Sequence, residues 1–338
     1  MTLKPDPVLV EVTRGKLVES RHRGAVAVCD ASGRVTMALG DIVSPVYPRS
    51  AFKMLQALPL VESGAADAFR LTGQELSLAC ASHSGEAFHV KAAASMLKKI
   101  GCKADDLACG PHLSLGPKAA AAMLRAGTKP TRLHNNCSGK HAGFLCCAVH
   151  AGLDVKGYER VSHPVQKAAR RAIGEMCGVA PASMPVGIDG CAAPNFAMPL
   201  KALATGFARL ADPSRLGEAR QQAIARLMQA VTSYPLFESG TGREDAVVMA
   251  DALPGTMTKV GAEGVMAAAI PALGLGVAVK VEDGAGRGAA TAMAALLVKL
   301  GALPARSKAA KAFVNAPVTN WRGDLCGVKR AGAALAAL

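Results

Sequence analysis

Strand-like segments stand at both ends of this 338-residue chain, and a long helical stretch separates them. Near the amino terminus, residues 9–13 and 16–20 flank a turn at Gly15. Residues 25–29 and 34–39 flank Asp30-Ala31-Ser32-Gly33, a run suited to a hairpin turn. Strand signals return only at 256–260, 265–270 and 276–281. Between them the apolar spacing predicts helices over 50–63, 74–81, 87–100, 118–126, 140–151, 164–177, 199–210 and 215–231, with a last one over 288–300. Ser162-His163-Pro164 supplies a cap and a first-turn proline for one of them. This order is not a repeating βαβ pattern. It predicts an α+β fold in which early and late strands pair into one antiparallel sheet. The expected division is a single domain of two lobes: a sheet lobe from 1–48 and 252–338, and a mainly helical lobe from 49–251. A cleft between such lobes is a natural ligand site.

Composition narrows the function classes. Half of the residues (51%) are hydrophobic but only 4% are aromatic, so the core must be built from Ala, Val, Leu and Met. No apolar run is long enough to span a bilayer. Residues 1–14 lack the apolar segment of a secretory signal. A chain of this length folds without disulfides, so the ten cysteines are expected as reduced thiols in a cytoplasm, some available for metal or chemistry. The net charge of +14 raises nucleic acid as a partner. The basic residues are scattered, however, no binding motif accompanies them, and one Trp and three Tyr offer little stacking surface. Attraction of a small anionic or zwitterionic substrate is the milder use of that charge.

Ser50-Ala51-Phe52-Lys53 matches S-x-x-K. On a helix the two polar side chains share a face, so a neutral Lys53 amine could take the proton of Ser50. Burial or a nearby cation such as Arg49 would favour the neutral amine. Ser95-Met96-Leu97-Lys98 carries the same pattern in mid-helix, where chance suffices. Ser50 instead falls at a helix start, where free N–H groups can support a developing oxyanion, or where the serine is only a cap. Ser82-His83-Ser84-Gly85-Glu86 resembles a site loop, or a capping box for the next helix. Lys259-Val260-Gly261 ends a strand whose glycine lets a ligand approach. The order of these three segments looks like the serine β-lactamase and penicillin-recognising architecture. The departure from S-D-N and Val260 in place of a hydroxyl residue speak against a β-lactam substrate.

His134-Asn135-Asn136-Cys137-Ser138-Gly139-Lys140-His141 and Gly187-Ile188-Asp189-Gly190-Cys191 are dense in chemistry. Cys137 and Cys191 with His134, Lys140 or His141 could hold zinc, or could be ordinary buried cysteines. Gly284-Ala285-Gly286-Arg287-Gly288 imitates a dinucleotide loop, but no acidic strand end follows it at the required distance. It is expected to be a strand-to-helix turn.

Taken with Arg49, Glu282-Asp283-Gly284 and Lys259-Val260-Gly261, these segments resemble, in order and over nearly the whole chain, the rhizobial-type (class 3) L-asparaginases. The resemblance implies a serine β-lactamase-like fold, a homodimer, and two Ser–Lys pairs, Ser50 with Lys53 and Ser82 with Lys259. It also implies zinc held by Cys137, Lys140 and Cys191, with Asp189 close by. L-asparagine is the expected substrate, with Arg49, Asn136 and Asp189 as candidates to bind it. The rivals are a glutaminase or other Ser–Lys acyl hydrolase, a zinc hydrolase in which the serines only bind, and a zinc-stabilised binding protein without catalysis.

Overall fold

The structure, a computed structural model, describes residues 5–338. The stretch 1–14 read above for a signal therefore begins with four residues outside the described part. The chain forms two compact units. One comprises the residues up to Ala51, Met198–Asp212 and Val247–Leu338; the other comprises Phe52–Ala197 and Pro213–Ala246. The helix Leu200–Ala211, expected in the helical lobe, belongs to the first of these. No helix among the described residues is long and apolar enough to cross a membrane.

The first unit is built on an eight-stranded antiparallel sheet. Its order is Ala316–Thr319, Leu325–Ala331, Val8–Arg14, Leu17–Asp30, Leu275–Val281, Val265–Ile270, Met257–Gly261, with Val35–Leu39 paired to Leu17–Asp30 off this path. Early and late strands do share one sheet, as their patterning predicts. Residues 16–20 and 25–29 are one strand, not two: Leu17–Asp30 pairs first with Val8–Arg14 and then with Leu275–Val281. Two strands near the carboxyl end carried no legible signal. Ala316–Thr319 contains Pro317 and lies at the sheet edge, where a missing donor is tolerated.

Side-chain size explains why two helices can sandwich the central strands. Val26, Val28, Met266, Ala268, Ile270, Val277 and Val279 join the core that contains Ala289, Ala292, Met293, Leu296 and Leu297 of helix Gly286–Lys299. The alternate positions, Ala25, Ala27, Ala267, Ala269, Gly276 and Ala278, are small. They allow the helix Leu200–Ala211 to lie close against the sheet. At Gly276 the approach is closest: a Cβ there would stand 2.1 Å from both the Ala204 oxygen and the Ala208 nitrogen. Gly276→Ala is therefore expected to destabilise the protein by about 2–3 kcal/mol, because backbone on both sides must separate. A urea midpoint unchanged from wild type would contradict this packing.

The second unit is helical. Ser138–His150 packs against Gly73–Ala79 and Ala87–Lys99. A Cβ at Gly139 would come within 2.3 Å of the Leu78 oxygen, so this contact needs glycine. The predicted helix 50–63 is broken into Arg49–Phe52, Lys53–Gln56 and Leu58–Glu62. Pro59 lacks the N–H that would continue the ladder. A small hairpin, Val186–Ile188 with Pro194–Phe196, completes the unit, and Phe52 meets Phe196 edge-on at 6.5 Å.

Candidate active site

The hairpin turn that carries Asp189 and Cys191 is tight. The Ala192 N–H donates to the Asp189 carbonyl at 2.8 Å, and Ala192 adopts a left-handed φ of 70°. The turn buries the Cys191 sulfur and leaves Asp189 half-buried. Opposite it, Cys137 precedes the helix Ser138–His150, with its N–H held by the Asn135 side chain at 2.9 Å. One turn along, the buried Lys140 amine donates to Cys191 Sγ at 3.1 Å. The three residues expected from the resemblance to hold zinc are thus brought together. His134 is not among them; its Nδ1 accepts the Thr131 N–H at 3.1 Å.

The cysteines behave as a coupled pair. A hydrogen bond from the Cys137 thiol, with Lys140 and His141 also favouring the anion against the cost of burial, pulls Cys191 far below the usual thiol range. The same hydrogen bond and its own burial push Cys137 well up. Burial acts to lower Lys140, but Cys191 and Cys137 outweigh it and hold the ammonium above its ordinary value. These effects favour the proton on Cys137 and Lys140 and the anion on Cys191. Among the described residues, no three His, Cys, Asp or Glu side chains gather as a metal cluster. The set here has two sulfurs and one amine.

Lys53 adjoins this cluster. It is buried, and its Nζ donates to the Ala81 carbonyl at 2.7 Å and to Cys137 Sγ at 3.0 Å. The spacing of Ser50 and Lys53 did not foreshadow that second contact. Ser82 follows Ala81, and its loop is fixed from both sides: the Ser82 N–H donates to the Glu238 carbonyl and the His83 N–H to the Asn136 carbonyl. Asn136 Nδ2 in turn donates to Ser82 Oγ at 3.0 Å. Asn136 is held by His112, whose Nε2 accepts its backbone N–H at 3.0 Å while Nδ1–H donates to the Leu113 carbonyl. His112 stands in no motif, and only the folded chain reveals its part.

His83 lies in the middle of this loop and is not available as a base. Its Nδ1 accepts the Gly85 N–H, so Nε2–H donates to Ser138 Oγ at 2.9 Å. Burial and the neighbouring His89 push it well below the usual imidazole range. His89, stacked on it at 4.8 Å, is lowered by its own burial to about 4. Both are neutral structural histidines. The decoy Ser95 is also accounted for, since its hydroxyl donates to Glu75 at 2.8 Å.

In the sheet unit, Arg49 precedes Ser50 with a left-handed φ of 53°. A non-glycine residue held there costs about 1–3 kcal/mol, and such strain collects at functional sites. Arg49 faces Glu263 at a loose 3.8 Å. The strand bearing Lys259 passes the same turn: a Cβ at Gly261 would meet the Pro48 oxygen at 2.5 Å and the Ala51 nitrogen at 3.1 Å. Lys259 is fully buried, and its amine donates to the Val260 carbonyl at 3.2 Å. The stretch 282–285 is a turn between a strand and the helix Gly286–Lys299, as expected for the imitation dinucleotide loop.

Residues 10–331 match the L-asparaginase II family. The chain belongs to that family. It is an L-asparaginase, an amidohydrolase whose substrate is L-asparagine. No curated protein matches this L-asparaginase in a whole-sequence comparison. Solved structures similar to it include a β-lactamase from Mycobacterium bovis, 15% identical, covering 82% of this chain and 94% of that chain with a TM-score of 0.43. Others are a simvastatin synthase from Aspergillus terreus (12%, 77% and 86%, 0.39) and the octameric penicillin-binding protein homologue from Pyrococcus abyssi (12%, 84% and 75%, 0.40).

Proposed function

We propose that this L-asparaginase works through an acyl-enzyme on Ser50, with Lys53 as its base. Ser50 Oγ attacks the side-chain amide carbon and its proton passes to Lys53. The amide nitrogen takes a proton and leaves as ammonia. Water then cleaves the β-aspartyl ester, restoring the serine. The observation that supports this reading most directly is the burial of Lys53, only 1% exposed, because desolvation favours the neutral amine a base must be. Ser82 and Lys259 relay protons or polarise the amide. Arg49 takes the substrate α-carboxylate in exchange for Glu263, a pairing that suits a guanidinium. Asn136 and Asp189 complete recognition, the latter as a partner for the α-ammonium.

The donor set at Cys137, Lys140 and Cys191 fits zinc: two buried sulfurs and an amine already in contact. Those three residues would hold it, and a bound ion would supply positive charge that neutralises the thiolates and helps position the substrate. As the resemblance implies, we take the protein to be a homodimer, which sedimentation would test. Ammonia release from asparagine and glutamine, with and without a chelator, tests the assignment. One methylene of side-chain length is worth roughly 10–200-fold in discrimination, so kcat/KM for asparagine should exceed that for glutamine by about that factor. Equal values for the two amides would contradict the substrate assignment.

A further inference from the structure

The hairpin of Val186–Ile188 with Pro194–Phe196 carries a polar side chain that the mechanism above does not use, Asn195. Its cross-strand partner is Gly187. Residues two apart along a strand share a face, so Asn195 lies diagonally across from Asp189, with no side chain at Gly187 between them. Asn195 Nδ2 donates to Asp189 Oδ2 at 3.1 Å. The other carboxylate oxygen, Oδ1, accepts the Gly190 N–H at 2.8 Å. Two bonds, one to each oxygen, set the plane of the carboxylate.

Carboxylate oxygens accept, so the Asn195 amide must present its NH2 to Asp189. The Asn195 Oδ1 is then left buried and makes no hydrogen bond within the protein. The residue is only 2% exposed. An apolar side chain would fill this strand position without that cost. Packing therefore does not account for an asparagine here, and the bond to Asp189 does. The strand is a firm anchor: Phe196 is fully buried, with Phe52 edge-on at 6.5 Å and the Arg170 guanidinium 5.3 Å from its ring centre.

We propose that Asn195 is a positioning residue for Asp189, and that through it this enzyme enforces its demand for a substrate α-ammonium. The proposal rests on the reading of Asp189 as the partner of that ammonium. A half-buried carboxylate tied only to its own turn rotates about its terminal torsion. Asn195 ties it to a buried strand before substrate arrives, which lowers the cost of binding. The amide that reacts is at the other end of the substrate, so binding suffers more than chemistry when Asn195 is lost.

The test compares L-asparagine with succinamate, the same amide without the α-ammonium, as a substrate or as a competitive inhibitor of asparagine turnover. Asn195→Leu should raise KM for asparagine roughly tenfold, about the worth of one charge-assisted hydrogen bond, with kcat little changed. Succinamate should be handled as by wild type. In an Asp189→Asn background, Asn195→Leu should add almost nothing, as expected of two residues acting as one unit. Asn195→Ala, which also removes the donor, repeats the test should Asn195→Leu not fold. Equal losses for asparagine and succinamate, or full additivity with Asp189→Asn, would overturn the proposal alone. An unchanged preference for asparagine over succinamate in Asp189→Asn would overturn the reading of Asp189 and this proposal together.

Discussion

Ser50→Ala and Lys53→Ala are each expected to lower kcat roughly ten-thousandfold or more while the fold survives. Residues that act as one nucleophile–base unit lose nearly everything when either is removed. The double variant should then be little worse than either single one. The fold should persist because Ser50 is small and because the Lys53 segment is also held by the Phe52–Phe196 contact. Lys53→Ala does leave the Ala81 carbonyl and the Cys137 thiol without their buried donor. Some stability, on the order of 1–3 kcal/mol, should go with it. Ser82→Ala should also be severe, since Ser82 is placed by three separate hydrogen bonds around its loop. Activity retained in Ser50→Ala but lost in Ser82→Ala would reverse the assignment of the nucleophile.

The second large effect concerns metal. One zinc per chain is expected in the wild type, and little or none in Cys137→Ala or Cys191→Ala. The pH dependence follows from the protonation of the cluster. Cys191 is pulled toward the thiolate by the Cys137 thiol and by Lys140. Cys137 is held up by its hydrogen bond to Cys191 and by burial, and Lys140 is held protonated by the two sulfurs. Zinc must therefore displace two protons, one from Cys137 and one from Lys140. Its affinity should fall with falling pH, by up to about two log units per pH unit below both pKa values. A flat pH profile would mean that these two groups are not ligands. On the proposed roles of Ser50 and Lys53 as nucleophile and base, the metal-free enzyme should keep some turnover and show a raised KM. Complete loss of kcat on gentle zinc removal, restored by zinc, would instead assign the chemistry to the metal.

Much of this architecture was legible because two periodicities are clean. Val26, Val28, Val277 and Val279 alternate with alanine and glycine on strands, and the intervening segments show helical spacing with proline at first turns. The misreadings have local causes. Gly24, with its missing Cβ lodged against Lys280, sits where one long strand changes partners, and in sequence it imitates a break. The helix Leu200–Ala211 has the amphipathic pattern of its neighbours, and nothing in that pattern says which unit it covers. Leu325–Ala331 has neither alternation nor branched residues in number, so pairing with its neighbours makes it a strand, not propensity.

At the site, spacing alone could not choose among His134, Lys140 and His141 beside the two cysteines. The fold separates them: Lys140 reaches the Cys191 sulfur, His134 bonds to Thr131, and His141 turns its Nδ1 to Tyr158. The contact of Lys53 with Cys137 joins residues 84 positions apart and has no trace in sequence. His112 was invisible for the same reason, because its task is to hold a backbone N–H and not to carry a motif.

The most direct test of the central claim is to find the acyl group. Mixing enzyme with L-asparagine, quenching in acid within the first turnover and mapping the modified peptide by mass spectrometry would locate a β-aspartyl ester. The expected result is an adduct on the peptide containing Ser50, absent in Ser50→Ala, with ammonia released in a burst matched to enzyme concentration. An adduct on Ser82 instead, or ammonia release with no burst and no adduct under conditions that trap an ester, would contradict the account.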